Sequence, residues 1–219
     1  QRQELKDYVN FLGVTSFKLY MNGVPGIVPD VDDGFILDVF DEIKKTGKKC
    51  IVCVHAENRY LVRRATKKIK EELANNVKIT DWSQTHPEMA EEEAVIRLSY
   101  LAKKMGVSVY IVHMSSAEAV KRLRSIKHLN KYINIETTSP YLSINNKSTD
   151  SSIIKMEPPF RSAEDVEELW SGIEDDTIDT IGTDNVTMTR TEKNVQSGNI
   201  WDVAPGYPAV ETHLPVMLS

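Results

Sequence analysis

Two stretches decide the fold: Cys50-Ile51-Val52-Cys53-Val54-His55 and Val107-Ser108-Val109-Tyr110-Ile111-Val112-His113. Each is a short β-branched run that ends on a histidine. Runs that are apolar at most positions suit strands covered on both faces. Working outward, similar strands are expected at 14–20, 132–136 and 177–181. Amphipathic segments separate them, predicting helices at about 2–12, 33–46, 57–73, 88–104, 116–126 and 162–172. The 33–46 segment carries acids early, Lys44-Lys45 late and Gly47 as its stop, as the helix dipole and a left-handed cap prefer. Strands alternating with helices imply right-handed βαβ units and a parallel α/β sheet of about five strands. The stretch 75–87 reads as an excursion away from the core, 143–153 as a mobile loop and 185–210 as a loop crossing a surface.

Composition narrows the function classes. The chain has 219 residues, a net charge of −5, 41% hydrophobic and 27% charged residues. That is enough for a real core in one large domain or two small ones, and it excludes wholesale disorder. Mild acidity argues against nucleic acid as a partner. No apolar run approaches the ~18 residues of a membrane span, and Gln1-Arg2-Gln3-Glu4 does not open a signal peptide. Two cysteines cannot build a disulfide scaffold, so a reducing, cytoplasmic setting is expected. The absence of a Gly-x-Gly-x-x-Gly turn and of a phosphate loop weighs against a nucleotide-binding sheet.

The polar residues at the strand ends carry the chemistry. Lys18 lies in the first strand, His55 and His113 close the second and third, and Asp184 follows the last by three residues. In a (β/α)₈ barrel these ends form the catalytic face. Two neutral imidazoles, a carboxylate and a lysine gathered there could hold a divalent metal. An ammonium cannot ligate, but a lysine carbamylated by carbon dioxide becomes an anion able to bridge two ions. Partial burial favours the neutral amine that this reaction needs. Singly, each residue has a plainer reading: a hydrogen-bonded histidine, a snorkelling lysine, an aspartate in a turn. Jointly, one per successive strand end, they favour a site. Glu136 also ends a strand and could pair with a neighbouring base. Cys50 and Cys53, three apart in a strand, point to opposite faces and read as packing residues. His86 and His128 read as surface residues and His213 as structural. The basic cluster at 63–70 and Glu91-Glu92-Glu93 read as solvated helix faces.

With these residues the chain resembles the amidohydrolase superfamily. It is similar to the cyclic-amide branch of dihydroorotases, hydantoinases, dihydropyrimidinases and allantoinases. Gly13-Val14-Thr15-Ser16-Phe17-Lys18 resembles the branch's carbamylated-lysine strand, Val54-His55-Ala56-Glu57-Asn58 its first metal histidine here, and Val112-His113-Met114-Ser115-Ser116 the next. Glu136-Thr137-Thr138-Ser139-Pro140-Tyr141-Leu142, Pro158-Pro159-Phe160-Arg161 with Leu169-Trp170, Gly182-Thr183-Asp184 and the segment from Ala204 to Thr212 follow in the family's order.

The resemblance implies a TIM-like (β/α) barrel, here a partial barrel of strands four to eight, with residues 1–219 as one domain. It implies a hydrolase that opens a cyclic amide or ureide ring through a metal-bound hydroxide. Two divalent metals, commonly zinc, would be bridged by carbamylated Lys18 and the hydroxide. His55 and His113 would hold the second metal. Asp184 would bind the first and carry the proton to the leaving amide nitrogen. A cytoplasmic homo-oligomer is expected, with no nucleic-acid or membrane partner, and no substrate-binding residue is assigned.

Departures qualify this picture. The family's His-x-His is absent, since no histidine precedes His55. The chain is therefore expected to be an excised portion with open strand edges and little or no activity as written. Gly23 stands where hydantoinases carry a tyrosine. Asn185 replaces a histidine and Pro205 an asparagine. These three tilt toward dihydroorotases and allantoinases, whereas the 136–142 and 158–170 segments pull the other way. The competing readings are a non-catalytic homologue serving as an assembly scaffold and, less favoured, a solute-binding α/β domain.

Overall fold

The computed structural model describes residues 2–24, 27–74, 76–149 and 151–219, with side chains from residue 4 onward. Gln1 and Asn75, which open two of the segments read above, lie outside the described residues.

Five strands form the sheet: β1 (Ser16–Tyr20), β2 (Ile51–His55), β3 (Ser108–Ile111), β4 (Ile133–Thr138) and β5 (Thr180–Gly182). They lie in sequence order and every neighbouring pair is parallel. An order without a reversal point, joined by crossovers of one hand, places the helices on a single side. The other side is concave, the geometry of part of a barrel rather than of a doubly wound sheet.

Nine α-helices accompany the strands among the described residues: α1 (Arg2–Phe11), α2 (Asp33–Thr46), α3 (Arg59–Leu73), α4 (Ile79–Trp82), α5 (Glu88–Met105), α6 (Ala117–Lys127), α7 (Ser139–Ser143), α8 (Ala163–Glu174) and α9 (Val210–Leu218). Local chemistry sets their ends. Asp32 accepts from the Phe35 amide at 2.8 Å to start α2, and Gly47, at φ 65°, ends it. Asn58 accepts from the amides of Tyr60 and Leu61. That cap starts α3 at Arg59 rather than at residue 57 and leaves Glu57 in the loop after β2. Ser162 and Asp165 form a reciprocal capping box on α8, which satisfies two otherwise orphaned amides.

The core lies between the helices and the convex face of the sheet. Val52, Val54, Val109, Ile111 and Ile135 are fully buried there against Ile36, Phe40, Leu98, Val120 and Leu123. Alternate strand residues face the concave side. Register pairs Lys18 with Cys53, Tyr20 with His55, and Cys53 with Tyr110. Cys50 is buried and Cys53 only partly so, and both thiols are free.

The stretch 77–87 is not an excursion. Val77, Ile79 and Trp82 are buried, and the Trp82 indole donates to the Met156 carbonyl at 2.9 Å. A short amphipathic turn with one large aromatic anchor is enough to dock it. The 185–209 segment is also tied down. The Lys193 ammonium, 2% exposed, donates to the carbonyls of Lys155, Ala204 and Gly206.

Candidate metal centre at the strand ends

Three of the four expected site residues stand at the C-terminal end of the sheet. Lys18 lies in β1, His55 closes β2, His113 follows β3 by two residues and Asp184 follows β5 by two. His113 and Asp184 both adopt left-handed backbone, with φ of 45° and 42°. For residues with a Cβ this conformation is strained, and it recurs where a side chain is re-aimed for function.

The structure brings His55 and His113 into contact, with Lys18 beside them over Tyr20 and Asp184 within reach of their charge. The rings of His55 and His113 meet edge to face with centroids 4.6 Å apart, and Tyr20 stacks on His55 at 5.9 Å. The Lys18 amine sits 4.9 Å from the centre of the Tyr20 ring. The groups also sense one another's charge. Burial lowers the Lys18 pKa, while Asp184, Cys53 and Glu136 pull the other way. Burial raises the pKa of Asp184, and its interactions with Lys18 and His55 oppose that. Burial, then His55 and Lys18, push His113 well below the ordinary histidine value, so it is a neutral imidazole at pH 7. Its Nδ1 is buried and has no hydrogen-bond partner among the described residues.

Glu136 is a partner rather than a member of this cluster. It accepts from the Tyr110 phenol at 2.6 Å instead of pairing with a base, and burial followed by that bond raises the phenol pKa to about 12.

Beneath the cluster lies a buried network that sequence reasoning missed. Glu57 is fully buried, with one oxygen 2.7 Å from His55 Nε2 and the other 3.0 Å from His86 Nδ1. Burial opposes its ionisation, but His86 and His55 outweigh that and hold the carboxyl well below the usual range. His86, expected on the surface, is 3% exposed. Burial alone would lower its pKa, and the Glu57 charge and hydrogen bond reverse that. Arg161 donates to the His86 carbonyl at 2.9 Å and to Ser115 Oγ at 2.8 Å. Ser115 in turn donates through its amide and hydroxyl to Glu91. Glu91, expected on a solvated face, is therefore also internal, at 2% exposure. This arginine ties the segment before α5 to the loop after β3. The sequence signal was a carboxylate two residues past a strand-end histidine. His128 is exposed, and His213 bonds Ser139 Oγ at 2.9 Å, both as expected.

Among the described residues no three His, Cys, Asp or Glu side chains stand close enough to hold an ion by themselves. The groups near one another, imidazoles of which one has an unpartnered nitrogen and the Asp184 carboxyl, are of the kinds that suit a divalent ion. A cavity of about 920 Å³ lies to one side, lined by residues 22–24 and 27–30, α3, and the rings of Trp82 and Trp201. It reaches this region through His86 and Glu157.

A partial (β/α) barrel with polar side chains at its C-terminal strand ends has the layout of barrel enzymes, whose chemistry the fold alone does not fix, and the comparisons narrow it. The chain is 30% identical over 210 residues to the L-hydantoinase of Paenarthrobacter aurescens, covering 94% of this chain and 45% of that protein. It is 28% identical over 230 residues to a probable allantoinase 2 of Dictyostelium discoideum, covering 98% and 45%. The structure of the L-hydantoinase (dihydropyrimidinase) from Arthrobacter aurescens superposes with a TM-score of 0.90 at 28% identity, over all of this chain and 48% of that one. No family model matches. The chain belongs with the cyclic amidohydrolase branch of the amidohydrolase superfamily and spans about half the length of the relatives it matches.

Proposed function

We propose that this chain is the part of a cyclic amidohydrolase that carries the lysine, the two strand-end histidines and the aspartate of its metal centre. One observation carries the reading: Lys18, His55, His113 and Asp184, distant in sequence, converge with a neutral imidazole whose Nδ1 has no partner among the described residues. Bound divalent ions, zinc being the leading candidate, would supply Lewis acidity, lowering the pKa of water and polarising the ring carbonyl.

The chain's own residues would do the rest. Lys18, its amine made easier to deprotonate by burial, takes up carbon dioxide and presents the resulting carbamate oxygens. His55 and His113 offer imidazole nitrogens. Asp184, its pKa raised by burial, would accept a proton from water and return it to the amide nitrogen as the ring opens. The substrate is a cyclic amide or ureide of the hydantoin or allantoin kind. A tyrosine could not occupy position 23 in this backbone. Gly23 has φ +75°, and a Cβ there would lie 2.7 Å from the Asp30 amide nitrogen. Any phenolic contact to the substrate must come from elsewhere.

We further read residues 1–219 as one partial barrel domain, cytoplasmic and homo-oligomeric, with no nucleic-acid or membrane partner. No described helix is long and apolar enough to cross a membrane. Alone, the chain should turn over little substrate, because no histidine precedes His55 to complete a second metal position.

Zinc titration of the chain tests the reading, alongside ring-opening assays on hydantoin, dihydrouracil, allantoin and dihydroorotate. Zinc should bind, and His55→Ala or His113→Ala should each abolish binding. Equal binding by the parent chain and both variants would refute the centre. Full turnover by the chain alone would refute the incomplete-site reading.

A further inference from the structure

We infer that the cavity beside α3 is a ligand site separate from the strand-end cluster, suited to a ureido acid: a flat apolar body with a carboxylate at one end and a urea at the other. The cavity measures about 920 Å³, room enough for a small organic molecule. One wall is a row of contacts. The Lys70 ammonium lies over the Trp201 ring at 4.6 Å, Trp201 meets Trp82 edge to face at 5.7 Å, and Trp82 meets the His86 ring at 5.5 Å. Glu157 follows, 4.0 Å from His86 Nε2. Both indoles are fixed before any ligand arrives. Trp201 donates to the Ala74 carbonyl at 3.1 Å and Trp82 to the Met156 carbonyl at 2.9 Å. A wall set in advance loses little freedom when it is covered.

Charge decides what the two ends take. Of the charged groups lining the cavity, Arg63 pairs with Asp30 at 3.0 Å and Lys67 with Glu71 at 3.7 Å, while His86 is engaged by Glu57 at 3.0 Å. Lys70 and Glu157 are left over. Among the described residues Lys70 has no carboxylate within ion-pair distance, and Glu157 makes no hydrogen bond. These two stand at the two ends of the row. Lys70 therefore suits a carboxylate. Glu157 suits N–H donors, and the Lys155 ammonium, which already interacts with it, disfavours a second ammonium there. A neutral urea, with parallel N–H groups that match two carboxylate oxygens, meets both conditions. Opening a cyclic ureide releases a ureido acid. Under the proposed function, on which this last step alone rests, the cavity would hold product away from the metal centre.

The probes are para-ureidobenzoate and N-carbamoyl-phenylalanine, which space the two ends differently, with benzoate and phenylurea each carrying one end. Binding to the chain is read from tryptophan emission and by calorimetry in EDTA, so that no metal takes part. At least one ureido acid should bind saturably, and more tightly than benzoate or phenylurea. Lys70→Gln, which replaces an exposed lysine of α3, should weaken the ureido acids about 2–5-fold, the range of an exposed charge pair. It should leave phenylurea unchanged. Glu157→Gln, at a side chain only 18% exposed, should weaken the ureido acids about tenfold and leave benzoate unchanged. Failure of both ureido acids to bind would overturn the inference. So would binding that neither substitution alters. If Glu157→Gln does not fold, the probe series and Lys70→Gln still decide it. Failure of the metal-centre reading looks different: His55→Ala binds zinc like the parent, while the ureido acids still bind in EDTA.

Discussion

The two faces of the sheet follow opposite rules. On the convex face Val52, Val54, Val109 and Ile135 are buried with no polar atom to satisfy, and removal from water is their whole contribution. On the concave face and at the strand ends, Lys18, His55, Tyr110, His113 and Glu136 are held by particular partners at particular distances. The first face tolerates any apolar residue of the right volume. The second accepts only groups whose hydrogen bonds and charges close. Stability should therefore reside mostly on one side and chemistry on the other, and substitutions can separate the two.

The largest expected effect is on the convex side. Phe40, fully buried in α2, should cost about 3–5 kcal/mol as Phe40→Ala, from lost transfer energy and the cavity left behind. Urea unfolding would show the midpoint falling with little change in slope. Zinc affinity measured well below that midpoint should stay near that of the parent chain. A loss of affinity with intact fold would mean that the two faces are not separable.

Legibility in the sequence divided along the same line. Strands β2 and β3 could be read because they form near-continuous apolar runs, and α2 because its early acids, Lys44, Lys45 and Gly47 announce its ends within a few residues. Lys18, His55, His113 and Asp184 stood out because His55 and His113 close or follow strands, Asp184 follows the last and Lys18 lies within the first, positions that the local pattern defines. His86, Glu91 and Trp82 were not. Each is buried because of a partner far along the chain: Glu57 for His86, Arg161 for Glu91, the Met156 carbonyl for Trp82. No local period records such a pairing. Glu91 sits in a run of three acids whose other two, Glu92 and Glu93, pair at the surface with Arg122 and Arg97, so helix phase alone could not single it out.

Polar burial can be probed next at the lysine pair under the tail. Burial lowers Lys155 and Lys193 to about 8, in Lys193 with help from the Lys155 charge. In the unfolded chain both titrate near the ordinary 10.5. Between these values the folded lysines have released protons that the unfolded chain still holds, so stability rises with pH across that window and is flat below it. Lys193→Met should cost about 1–3 kcal/mol at pH 7, where three carbonyls lose a donor. It should gain less than the parent between pH 8 and 10. Denaturant midpoints at several pH values would check both, and parallel curves for the two proteins would remove these lysines from the account.

The smallest effect sharpens the comparison most, because it alters the concave face without touching volume. Tyr110→Phe deletes one hydroxyl, which donates to Glu136 at 2.6 Å and meets Thr180 Oγ1 beside it. The ring stays, so only the hydrogen bonds are lost, a cost of about 1–1.5 kcal/mol given a charged acceptor on a face open enough for water to replace the donor. Glu136, freed of its clamp, is one of the charges that raises the Lys18 pKa against burial, so its movement should register at Lys18. A ¹³C-methyl probe on reductively methylated lysines would report that change as an altered Lys18 titration, with the other lysines unmoved. A large loss of stability with Lys18 unchanged would show that Tyr110 belongs to the packing rule of the convex face. A small loss with a shifted Lys18 would place it in the electrostatic circuit of the strand ends.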